Sequence, residues 1–192
     1  MFAAQTKARG IDLKTIYQTL IWAGILIFIT GVICDAKAIE YLRYGAIVGP
    51  ILFGIGTIIW IPLRIKNPIL HPMNSHEYKS TADAFLAFIF NNFMLEFWAF
   101  CCAFGMLMVT GGGAAMKSSG GFNAAVTTIM ADDELTNRIG EFQGTGILVS
   151  GSTSSTKAHL IFSAYGTTGG TRVSISLAKE SGQWLTTSLT YD

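Results

Sequence analysis

Ala84–Thr110 reads AFLAFIFNNFMLEFWAFCCAFGMLMVT. As a helix it is roughly 40 Å long, more than the roughly 30 Å hydrocarbon core of a bilayer. Such a segment crosses with tilt, or its first turns lie in the headgroup layer. Two other apolar segments precede it, and after it the composition turns polar for good. The third segment therefore reads as the junction between a membrane-embedded front half and an extramembrane domain. It carries Glu96 inside its apolar run, with Asn91 and Asn92 about one turn earlier.

Composition agrees with that division. Of 192 residues, 51% are hydrophobic and only 13% charged, against about 25% in soluble proteins. A net charge of +1 without a Lys/Arg block argues against nucleic-acid binding. Cys34, Cys101 and Cys102 all lie in or beside apolar segments, so no disulfide framework supports the polar part. The first apolar run is followed by no small-residue cleavage site and reads as a retained helix.

Met1–Lys14 is a short tail with Lys7, Arg9 and Lys14. Ile16–Cys34 is long enough to span, and Asp35–Arg43 is a charged loop. Tyr44–Ile65 is the second span. Its Gly45-x-x-x-Gly49 allows close backbone approach in lipid, and Pro50 is expected to bend it. Lys66–Asp83 reads as a loop with His71 and His76, and Thr81 or Asp83 is expected to cap the third helix. The basic residues of the tail and of this loop (Arg64, Lys66, Lys79) outnumber Lys37, Arg43 and Lys117 on the other side. The positive-inside rule then puts the N-terminus inside and the C-terminal domain outside, in a periplasm or intermembrane space.

Gly111-Gly-Gly113 is expected to break the third helix as a flexible hinge, with a second break at Ser118–Gly121. Residues 1–113 thus form a three-helix transmembrane region and 114–192 a small α+β domain. Phe122–Ile139 is helical, with an apolar stripe of Phe122, Val126, Ile129 and Met130 and a cap at Asp132 or Asp133. Four strands follow at Phe142–Val149, Thr156–Tyr165, Thr171–Ala178 and Gln183–Tyr191. Ala158, Leu160, Phe162 and Ala164 share one face; Val173, Ile175 and Leu177 point inward, and Trp184 sits in the last strand. Hairpins joining short strands make an antiparallel meander, and the preceding helix supplies its cover.

Few residues offer chemistry. Glu96 is a functional candidate because an ionisable group deep in a bilayer is costly; it relays protons, contacts a partner, or lies at the interface. Helical spacing brings Asn92, Glu96, Ala99 and Ala103 close to one face, and Ala99-x-x-x-Ala103 resembles a close-packing seam. His71 and His76 lack Cys or acidic partners beyond Glu77 and read as a solvated pair, and His159 reads as a surface residue. No span contains a histidine, so the chain is expected to hold no haem and no other cofactor or metal by itself. No nucleophile–base pair and no phosphate loop is visible.

The order of features in the last third carries a family resemblance. An amphipathic helix ends at Leu135…Ile139-Gly140. Then come Ala158-x-Leu160 entering a strand, a Gly-Gly hairpin, and a closing Gly182-Gln-Trp184-x-x-x-x-Leu189. Over roughly Phe122–Asp192 this resembles the cytochrome c oxidase assembly factor Coa1 family, whose domain is similar to that of the translocase subunit Tim21. The resemblance implies a docking domain without catalytic residues, on the outer face of an energy-converting membrane. The expected role is a non-catalytic accessory or assembly subunit of a respiratory complex, with a terminal oxidase as host and larger integral membrane subunits as partners. The other classes the sequence allows are a unit of an oligomeric ion pathway through Glu96 and a structural subunit of an envelope or secretion machine.

Overall fold

A computed structural model describes residues 13–66 and 80–192. Five helices and four strands occur among them: α1 (Leu13–Ala36), α2 (Gly45–Lys66), α3 (Thr81–Lys117), α4 (Gly120–Met130), α5 (Asp133–Ile139), β1 (Phe142–Thr153), β2 (Lys157–Gly166), β3 (Gly170–Glu180) and β4 (Gln183–Tyr191). Lys7, Arg9, His71, His76 and Lys79 lie outside the described residues. Three helices are long and apolar enough to cross a membrane, over Leu13–Ala36, Gly45–Lys66 and Asn92–Lys117.

α1 and α2 pack antiparallel along a seam of glycines. A Cβ on Gly24 would fall 2.6 Å from the Phe53 nitrogen, and one on Gly49 would fall 2.5 Å from the Phe28 nitrogen. Gly45 lies equally close to the Ile27 carbonyl, and Gly31 against the Ala46 nitrogen. Without side chains between them the backbones approach closely and gain dispersion contacts. The Gly45-x-x-x-Gly49 motif is therefore a contact inside this chain, and its complement is Gly24 and Gly31. Pro50 and Pro62 are both accommodated within α2.

Two expectations for α3 need correction. Its N-cap is Ser80, not Thr81 or Asp83: the Ser80 hydroxyl accepts the Asp83 N–H at 3.1 Å and donates to the Asp83 carboxylate at 2.9 Å. The single Ser80 hydroxyl makes both bonds, and Asp83 is the third helical residue. The glycine hinge is also absent. α3 runs unbroken through Gly111, Gly112 and Gly113 to Lys117, so the boundary drawn at 113 lies inside a helix. Interior glycine costs about 1 kcal/mol relative to alanine. Gly113 lies buried against β1, where a Cβ would sit 3.4 Å from the Ile147 oxygen and the Val149 nitrogen, and this tertiary packing overrides the local preference. The chain breaks only at Ser118–Ser119, where Ser119 caps α4 by accepting the Phe122 N–H at 3.1 Å.

The strands form one antiparallel sheet in the order β1-β2-β3-β4. Ser181 and Gly182, at φ 50° and 89°, make the tight turn into β4, a turn whose two positive φ values favour glycine. Leu160 pairs with Ile175, and Ile175 with Leu189. Leu160, Phe162, Val173, Ile175 and Leu177 are buried in one cluster with Phe122, Ala125 and Ile129 of α4 and Leu135 and Ile139 of α5; Trp184 is partly buried against it. The rings of Phe122 and Phe162 meet edge to face at 5.2 Å. Met130, expected in the α4 stripe, is exposed, and Ala125 takes its place. Among the two aspartates, Asp132 is the cap of α5, accepting the Leu135 N–H at 3.0 Å.

Candidate functional site

Ala158, Leu160, Phe162 and Ala164 share the buried face of β2 as expected. Alternation holds from Lys157 to Phe162, but Ser163, Ala164, Tyr165 and Gly166 are all buried. Both faces of the sheet are covered there, and the cover on the second face is the end of α1.

The geometry starts from a defect in the ladder. Thr145 pairs with Ala164 and Val149 with Phe162, so Gly146, Ile147 and Leu148 bulge opposite Ser163. A bulge releases backbone groups from strand pairing, and buried backbone groups need partners. The Asp35 carboxylate supplies them: Oδ1 accepts the Ile147 N–H at 3.0 Å and Oδ2 the Leu148 N–H at 2.7 Å. The Gly146 carbonyl accepts the Lys117 ammonium from the last turn of α3. The Tyr165 hydroxyl donates to Asp35 Oδ1 at 3.2 Å, and the Ser163 hydroxyl donates to the Asp35 backbone carbonyl. Asp35 is 1% exposed. Position 146 must be glycine, because a Cβ there would lie 2.8 Å from Asp35 Oδ1.

Cations complete the cluster. The Arg43 guanidinium lies 4.1 Å from the Tyr165 ring centre and 4.9 Å from that of Tyr44, within cation–π range. It also donates to the Tyr44 hydroxyl at 3.0 Å. Burial holds the Tyr165 phenol well above its ordinary value, and the charge of Asp35 and its hydrogen bond add to this, while Arg43 works the other way. A 370 Å³ crevice lies beside the cluster, between the last turns of α3 and β1–β2, with Gly112, Ser163 and Arg172 on its wall.

The second polar cluster lies between α2 and α3. Arg64 Nε donates to Glu96 Oε1 at 2.7 Å, and Arg64 Nη2 donates to the Asn92 carbonyl at 2.7 Å. The Asn92 side chain is turned back onto its own helix, donating to the Phe88 carbonyl at 2.9 Å. Glu96 thus has its counter-charge in the same chain. Of the proposed small-residue seam, Ala99 is half-buried beside a groove and Ala103 is exposed.

Other candidates stay apart. His159 Nδ1 lies 3.0 Å from the Ser176 hydroxyl on the exposed sheet face, and no acid orients the ring among the described residues. Cys34, Cys101 and Cys102 are free thiols. No group of three or more potential metal ligands occurs among the described residues. Sequence reasoning placed Asp35 in a charged loop and missed its role. The available signal was an acid directly after an apolar run, with no cation within helical reach of it in that run.

What this arrangement does chemically is hold parts together. The carboxylate, ammonium and hydroxyl of the junction are all engaged with backbone or with one another. No family model matches the sequence, and comparison with curated proteins and with solved structures finds no significant match.

Proposed function

We propose that this chain is a non-catalytic accessory or assembly subunit of a larger membrane complex. Its three apolar helices span the bilayer and present a small helix-on-sheet domain on the face opposite the N-terminus. The observation that carries this reading is the Asp35 junction. A buried carboxylate fixes the sheet to the end of α1, and Lys117 fixes it to the end of α3. A platform fixed at two points suits presentation of a surface to a neighbour. The row of exposed aromatics on α3, including Phe93, Phe97, Phe100 and Phe104, suits contact with larger integral membrane subunits.

The host we propose is a respiratory complex of a bacterial or mitochondrial inner membrane, specifically a terminal haem-copper oxidase. The support is the resemblance of Phe122–Asp192 to the Coa1 family. Gentle solubilisation followed by native electrophoresis tests it. The chain is expected to migrate with a larger complex that shows haem absorbance. Migration of the chain alone, in every mild detergent, would remove the proposal.

A further inference from the structure

The connection between α1 and α2 leaves large side chains uncovered. Ile39, Leu42 and Tyr44 are about half exposed, and Tyr41 is 93% exposed. Exposed apolar groups gathered this closely in a short connection mark contact with something other than water. Glu40, the acid among them, lies 3.9 Å from Arg43 and so adds no unpaired charge.

This connection is pinned to the sheet on its other side. The Asp35 carboxylate before it holds the Ile147 and Leu148 amides. A Cβ on Gly170 would fall 2.6 Å from the Ala38 carbonyl, and the Arg43 guanidinium lies 4.1 Å from the Tyr165 ring centre. The uncovered side chains therefore cannot turn in against the domain without breaking these contacts.

The length of α2 says what they meet. Arg64 and Lys66 end that helix, as basic residues do at a membrane interface. From Arg64 back to Gly45 the helix rises about 29 Å, close to the roughly 30 Å hydrocarbon thickness. Gly45 then lies at the far hydrocarbon boundary, and Tyr41, Leu42 and Tyr44 lie at headgroup depth beside it. Tyrosine is enriched at that depth, with its ring toward the acyl chains and its hydroxyl toward water.

We propose that Ile39, Tyr41 and Leu42 enter the headgroup layer on the domain's side of the bilayer, so that lipid is the partner of this surface and the sheet is seated on the membrane. The inference rests on the helices spanning a membrane, as proposed above. It adds the surface that meets the lipid, and it fixes the height of the domain through Asp35 and Tyr165.

The test uses the full chain with Trp22, Trp60, Trp98 and Trp184 replaced by Phe and with Tyr41→Trp as the reporter. It is reconstituted in phosphatidylcholine vesicles. Quenching is measured with phosphatidylcholine brominated near the headgroup end or near the methyl end of its acyl chains, and with iodide in the aqueous phase. Leu42→Trp in the same background is an independent reporter if the first variant fails to fold, and a chain keeping Trp98 alone reports from within α3. The Tyr41→Trp and Leu42→Trp reporters are expected to be quenched at least about twofold more by the shallow bromines than by the deep ones, and little by iodide. Strong iodide quenching of both, with no effect of either lipid while Trp98 is quenched by bromine, would overturn the seat and leave the membrane reading intact. A protein neighbour would then be the occupant of the surface. No quenching of any reporter by brominated lipid would overturn both.

Discussion

The Tyr165 hydroxyl of β2 donates to Asp35 Oδ1 at the end of α1 across 3.2 Å, joining residues 130 positions apart. With Ile147 and Leu148 it gives the carboxylate three donors. Asp35→Ala leaves two backbone N–H groups and a phenol without their acceptor. The expected cost is about 3–5 kcal/mol, since hydrogen bonds to a charge are the strong class and orphaned buried donors add desolvation. Denaturant unfolding in detergent, followed by the fluorescence of Trp184 with Trp22, Trp60 and Trp98 replaced by Phe, measures it. Asp35→Asn, which keeps one acceptor oxygen, should fall between.

Alkaline pH should weaken the same junction. Tyr165 has its folded pKa raised, by burial first and by Asp35 second. The proton is therefore held more tightly in the folded than in the unfolded state. That stability is fully present below the unfolded tyrosine value of about 10 and is lost as pH rises above it. Tyrosinate absorbance should show Tyr165 titrating above the ordinary tyrosine value, and Tyr165→Phe should flatten the alkaline loss of stability. An unchanged alkaline slope in Tyr165→Phe would contradict the assignment.

The glycine seam gives a prediction with its own control. Gly49→Leu places a side chain where a Cβ already lies 2.5 Å from Phe28, whereas a Cβ at Gly54 meets nothing within 4 Å. Gly49→Leu should separate α1 from α2 and lower thermal stability by several degrees. Gly54→Leu should leave it nearly unchanged, because overpacking costs energy only where space is absent. Differential scanning fluorimetry of the solubilised chain reads both.

For Glu96, the ion pair with Arg64 predicts coupling. Arg64→Gln and Glu96→Gln should each destabilise, and the double variant by less than their sum. A coupling energy of about 0.5–3 kcal/mol is expected for a partly exposed pair in direct contact. Glu96→Gln should leave ion flux through reconstituted vesicles unaltered. Additive losses, or a change in flux, would favour a pathway role for Glu96 instead.

Much of the architecture was legible in the residues, for identifiable reasons. The apolar runs, the period-two alternation of Thr171–Ala178 and the Ser181-Gly182 turn are local signals, and the elements appear where those signals stand. What was not legible came from distant parts. The glycines at 111–113 read as a hinge because nothing nearby in sequence shows that β1 packs on Gly113. The buried outer face of Ser163–Tyr165 was hidden for the same reason, since its cover comes from Asp35. Glu96 stood out as the acid of the third apolar run, but its partner Arg64 lies 32 residues away, beyond any helical spacing.

The Asp35 clip holds the bulged strand β1 to the end of α1. Amide hydrogen exchange at Ile147 and Leu148 tests this most directly, because their N–H groups donate to that carboxylate. In the intact chain both amides should exchange as slowly as those of the β2–β3 ladder, and Asp35→Ala should speed both by at least tenfold while the ladder stays protected. Rapid exchange of Ile147 and Leu148 in the unaltered chain would contradict it.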